Sequence, residues 1–168
     1  WSTSYSLYAD TCARWFAQEV AADWQAVRGE LMTLLQRERE LRDVAALVGP
    51  DALEPRDRFI MDVARIVREV LLQQNAFHPH DASSSVQKTY ALATAIRALY
   101  QAGLRAIDNG VASERLPLDS VRQLLVRLRE AAPEALDACA QAALTAANDV
   151  AAKLPRAKPH AMVGGSST

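Results

Sequence analysis

The chain has 168 residues, half of them hydrophobic but only 6% aromatic, and 19 Lys and Arg stand against 20 Asp and Glu for a formal net charge of −1. That balance excludes the basic footprint of a nucleic-acid binder or of a protein drawn to an anionic membrane surface. No apolar run is long enough to cross a bilayer, no signal peptide opens the sequence, and Cys12 and Cys139 fit no metal-ligand spacing, so two buried thiols are expected.

Six glycines set in a background of Ala, Leu, Arg and Glu favour helix throughout. Residues 1–10 have no period and read as an irregular lead-in, followed by a short helix from Thr11 to Val20 that offers Trp15 and Phe16 for packing. Asp23 reads as the N-cap of a long helix, with Trp24, Val27, Leu31, Leu34, Leu35, Leu41, Val44, Ala45 and Val48 on its inward face. The charge run Arg37–Asp43 reads as its solvated face, with Glu38 and Arg42 four residues apart in the favourable order. Gly49-Pro50 ends this helix, because Gly accepts a left-handed cap and Pro cannot continue the ladder.

A compact acidic turn, Asp51 to Asp57, leads into the next helix, whose first turn takes Pro55 and which runs to Gln74 with Phe59, Ile60, Val63, Ile66, Val67, Val70 and Leu71 inward. The two helices are predicted to form an antiparallel hairpin. Residues 73–81 form a loop around Pro79. Ser84 or Ser85 caps a helix that places Val86, Tyr90, Ala93, Ile96, Leu99, Tyr100, Leu104 and Ile107 on one side and closes at Asn109-Gly110. Asp119 or Ser120 caps a helix through Arg129, and Pro133 opens an alanine-rich helix fading near Leu154. Residues 155–168 have too little apolar content to bury and read as a disordered tail. The predicted class is all-α: a helical bundle with a long antiparallel hairpin, extra C-terminal helices and a tail.

A search for chemistry returns little. The chain contains no G-x-x-x-x-G-K-[ST] phosphate loop and no G-x-G-x-x-G, and its three histidines fall in loops or tail. His78 and His80 flank a proline without a third ligand at any supporting spacing, so a solvated loop is expected there and no metal site. These residues alone describe a helical domain without catalysis.

Three segments carry more. The opening W-S-T-S-Y-S-L-Y is similar to the W-x-T-S-Y-S-L-Y stretch of V/A-type rotary ATPase A subunits. Leu34 to Leu41 followed by Leu47 to Leu53 (L-V-G-P-D-A-L), and Val63 to Glu69 (V-A-R-I-V-R-E) running into Leu72 to His78 (L-Q-Q-N-A-F-H), resemble the same family in the same order. The resemblance covers residues 1–118, so the expected organisation is a C-terminal helical domain at 1–118, an additional helical extension at 119–154 and the tail. It implies a parent chain that holds its nucleotide-binding domain and phosphate loop upstream, which also accounts for a sequence beginning at Trp1 rather than Met.

The resemblance further implies a role in coupling ATP hydrolysis or synthesis to rotation of a central stalk and to H⁺ or Na⁺ transport. The implied partners are B subunits, central-stalk subunits and the upstream domain, with ATP or ADP and Mg²⁺ bound by the full-length protein and none by this chain alone. The implied location is cytoplasmic and peripheral to the membrane. Asp51, Leu53, Glu54, Pro55, Arg56 and Asp57 occupy the place of the acidic rotor-facing loop of the related F-type beta chain, although Pro55 and Arg56 dilute the acidity and favour shape over charge. Gln74, Asn75 and Phe77 resemble the segment that walls the adenine, with Phe77 either the stacking face or a core residue. The usual acidic-aromatic pair after R-E is here Val70-Leu71, and the usual D-T-Y-C is Asp81-Ala82-Ser83-Ser84. The alternative is a stand-alone helical interaction module, whose gene would encode little ahead of Trp1.

Overall fold

The computed structural model describes residues 15, 16, 18, 20–73, 84–152 and 154. The described residues form an all-α bundle of five main helices, α1 (Trp24–Val48), α2 (Pro55–Ile66), α3 (Val86–Asp108), α4 (Leu118–Glu130) and α5 (Leu136–Asn148). Short 3₁₀ turns at Pro50–Ala52, Ser113–Arg115 and Pro133–Ala135 join them, and α2 continues as a wider π-helical turn over Val67–Leu72. The lead-in, most of the predicted Thr11–Val20 helix and the tail lie outside the described residues. Within that first stretch Phe16 stacks on Trp24 with ring centroids 4.8 Å apart.

α1 and α2 form the predicted hairpin, and α3 packs against all four other helices. Its central place corrects the single inward face expected for it. Val86 is only half-buried, whereas Leu92, Ala95, Ala102 and Ala106 join the expected Ala93, Ile96 and Leu99 in the core. A helix enclosed on several sides needs small residues where neighbours approach closely, and Gly103 marks the tightest point. A β-carbon there would lie 2.1 Å from the Phe59 ring, which is fully buried in α2.

α5 packs on both α3 and α4 through Ala143 and Ala147. The C-terminal helices therefore share one core with the hairpin, because Val121, Leu125 and Leu128 are buried in the same cluster as Val27, Leu34 and Val63. Caps differ in detail from expectation. Ser85 does cap α3, its side chain accepting from the Lys88 amide at 3.1 Å. Asp23 precedes α1, but its carboxylate serves Tyr90 and Arg97 on α3 instead of the helix amides. α4 begins at Leu118, one residue before Asp119, and α5 proper starts at Leu136 after the 3₁₀ turn opened by Pro133. Cys139 is only part-buried.

Candidate functional site

The hairpin offers two places of interest, its tip and its opposite end. At the tip, Gly49 takes φ +87°, a conformation L side chains rarely adopt, and its N–H donates to Ala45 O at 2.9 Å to close α1. The 3₁₀ turn then reverses the chain. Leu53 is turned inward at 7% exposure, so the expectation of Leu53 as a surface contact is corrected: it anchors the turn to the core. Asp51, Ala52, Glu54 and Pro55 are exposed. Arg56 forms an ion pair with Asp108 at the end of α3, and Asp57 lies 3.6 Å from Arg37 on α1, so both charges are partly committed within the chain.

The exposed apolar surface at the tip comes from α1 instead. Leu41 is its last buried residue, and Val44, Leu47 and Val48 stand 45%, 86% and 59% exposed. The helical period places Val44 and Val48 inward, but among the described residues none covers them. The sequence pattern does not single out Leu47, and only its exposure in the fold separates it from a core leucine.

At the other end of α2 the charge run of α1 meets a partner. Glu38 is 2% exposed, which corrects its assignment to a solvated face. Arg68 donates to it twice, Nη1 to Oε2 at 2.7 Å and Nη2 to Oε1 at 2.6 Å, and Arg42 adds a bond to Oε1 at 2.7 Å. The Arg68 hydrogen bonds outweigh burial and hold the Glu38 carboxyl below the usual carboxylate range. Arg68 belongs to the π-turn, in which the Gln73 N–H donates to Arg68 O, five residues back, at 3.0 Å. Arg129, near the end of α4, donates Nη1 to Glu69 O at 2.9 Å. The buried Lys88 ammonium donates to the carbonyls of Arg129 and Ala131 at 3.1 and 2.9 Å and closes the C-terminus of α4.

A largely apolar groove of about 570 Å³ runs beside this turn, lined by Trp24, Leu31, Met32, Leu35, Leu71 and Leu72 among others, with Met32 and Leu72 half-exposed. Gln74, Asn75 and Phe77, with His78 and His80, lie outside the described residues. Among the described residues no group of three or more His, Cys, Asp or Glu is placed to hold a metal ion, and no helix is long and apolar enough to cross a membrane.

A family model described as the C-terminal domain of V and A type ATP synthase matches residues 13–116, which span the tip, the wide turn and α3. The chain belongs to this family. It is 43% identical over 129 residues to the A subunit of the A-type ATP synthase of Methanococcus maripaludis, a match covering 77% of this chain and 22% of that protein. The V-type ATP synthase alpha chain of Thermoanaerobacter pseudethanolicus is 41% identical over the same length, and the A subunit of the Methanopyrus kandleri A-type ATP synthase is 42% identical over 124 residues. The chain spans about a fifth of the length of these relatives. A stretch of 129 residues cannot fit within 1–118, so the likeness to V and A type proteins runs on into α4.

Proposed function

We propose that this chain acts as the C-terminal domain of the catalytic A subunit of a V/A-type rotary ATPase, coupling ATP hydrolysis or synthesis to central-stalk rotation and to H⁺ or Na⁺ transport. The observation that carries the reading is 43% identity over 77% of the chain to one such protein, with the family match at residues 13–116 spanning the whole hairpin. Two packed helices cannot deform smoothly, so a displacement at one end of the hairpin is delivered to its tip as a rigid swing.

In this reading the central stalk meets the exposed ridge Val44, Leu47 and Val48 together with Asp51 and Glu54, while Leu53, Arg56 and Asp57 hold the turn in shape. Gln74, Asn75 and Phe77 contact the adenine. The upstream domain of the parent protein holds the phosphates and Mg²⁺, as membership of this family implies. B subunits pack beside it, and the assembled complex keeps it peripheral to the membrane on the cytoplasmic side. The chain alone performs no catalysis.

The test replaces Leu47 and Val48 with Ser in the assembled complex. Both are exposed, so folding stability should change by less than about 0.5 kcal/mol, whereas deleting the buried Leu53 would damage the core. ATP hydrolysis should continue with less ion transported per ATP. Unchanged transport and unchanged torque would rule out this ridge as the rotor contact.

A further inference from the structure

The buried face of α1 is Val27, Leu31, Leu34, Glu38 and Leu41, spaced alternately four and three residues apart. That is the seam of a helix packed lengthwise on its neighbours, and one of its places holds a carboxylate. Aliphatic side chains attract without direction, so a seam of Leu and Val against Phe59, Ile60 and Val63 of α2 fits in more than one register. Close packing forbids smooth sliding but leaves a second fit one helical turn along, about 5.4 Å away.

Glu38 removes that freedom. Its carboxylate meets Arg68 fork to fork, Nη1 to Oε2 at 2.7 Å and Nη2 to Oε1 at 2.6 Å, and Arg42 of α1 itself adds Nη2 to Oε1 at 2.7 Å. At 2% exposure the carboxylate has almost no water to fall back on. A slide of one turn would part it from Arg68 and leave it buried with Arg42 alone. Breaking a buried pair is costly, and a single polar residue in an apolar seam fixes register for that reason. The lock lies close to the exposed ridge. Leu41 is the last buried residue of α1, and the helix carrying Val44, Leu47 and Val48 runs about 10 Å beyond it.

We propose that Glu38, through its fork with Arg68, fixes the register of α1 on α2 and is thereby a positioning residue for the ridge Val44, Leu47 and Val48. This rests on the reading of that ridge as the rotor contact. Under load from a rotor, a hairpin free to slip by one turn would take up the stroke within itself, whereas the locked hairpin passes it to the tip. A buried ion pair adds little net stability over apolar packing, so what Glu38 contributes is a single register.

The experiment uses the parent protein in the assembled complex and measures ions transported per ATP hydrolysed. Three variants are compared: Glu38→Leu with Arg68→Leu, Arg68→Lys alone, and Leu47→Ser with Val48→Ser. The double-leucine variant replaces the pair by apolar side chains and should keep the wild-type melting temperature. With two registers open to it in similar proportion, about half of the strokes are lost, and transport per ATP should fall about twofold. Arg68→Lys keeps the charge but loses the fork and should fall between. A merely stabilising pair would leave transport per ATP unchanged in every complex that assembles. If the double-serine variant lowers transport and the double-leucine variant does not, the proposal is overturned while the rotor-contact reading stands. If the double-serine variant leaves transport unchanged, the rotor-contact reading falls, and the register claim is decided by spin labels at the exposed Asp43 and Arg65 in the parent subunit cleared of its other cysteines. The same single distance in wild type and the double-leucine variant overturns the claim, and a second distance in the variant upholds it. Should the double-leucine variant fail to assemble, unchanged transport in Arg68→Lys overturns the proposal and a fall upholds it.

Discussion

The two ends of the hairpin are built on opposite terms. At the tip the ionic contacts are exposed or only part-buried, Arg56 with Asp108 and Arg37 with Asp57, and Val44, Leu47 and Val48 on α1 are exposed and apolar. At the far end the charges are the covered part: Glu38 is buried under two guanidiniums, and the wide turn beside it is gripped by Arg129. Exposed ion pairs contribute little and are screened by salt, whereas removing one partner of a buried pair is costly. The difference teaches that shape at the tip depends on Leu53 and the turn, while position at the far end depends on charge.

The largest effect should come from the point that supports both ends. Gly103→Ala drives a methyl into the Phe59 ring inside a close-packed core and should destabilise the chain by about 3 kcal/mol, read as the shift of a denaturant midpoint. Phe59→Leu in the same chain should restore part of that loss, because it clears the space the methyl needs.

Next comes Glu38→Gln, which breaks the far end alone. Its cost at neutral pH should be about 2 kcal/mol, below that of a fully enclosed pair because Arg68 and Arg42 keep access to water. The folded-state pKa of Glu38 is depressed, so its stabilisation is complete above the usual carboxylate range and is lost as pH falls through the lower folded value. The gap between wild type and Glu38→Gln should therefore close on acidification below that range. Asp62 runs the other way, since burial raises its carboxyl, and for that reason the difference between the two chains is the quantity to measure.

Arg56→Ala is the smallest. Both partners of its pair with Asp108 are about half-exposed, so a loss of about 0.5 kcal/mol or less, vanishing in high salt, is expected from urea titrations. A loss near that of Glu38→Gln would show that the tip too depends on charge and would erase the contrast between the two ends.

Much of this is legible residue by residue. The period of α1 marks Val27, Leu31, Leu34 and Leu41 as core, Gly49-Pro50 marks its end, and Ser85 marks the start of α3. Each rests on an interaction within about four residues, which local sequence carries. Glu38 reads as solvated in the sequence, yet is buried, because its chief partner, Arg68, lies 30 residues away. Val44 and Val48 read as core, yet are exposed, because helical period tells which side a residue faces but not whether a neighbour stands there.

The sequence by itself determined that the chain is helical, where its helices begin and end to within about two turns, and which family its segments resemble, since these follow from backbone propensity, capping and order along the chain. Only the tertiary structure decided that Leu53 points inward, that Leu47 is bare, that α4 and α5 join the same core, and that Arg129 meets the Glu69 carbonyl 60 residues away. Burial and pairing depend on how separate helices meet in space, and no local pattern in a single helix records that.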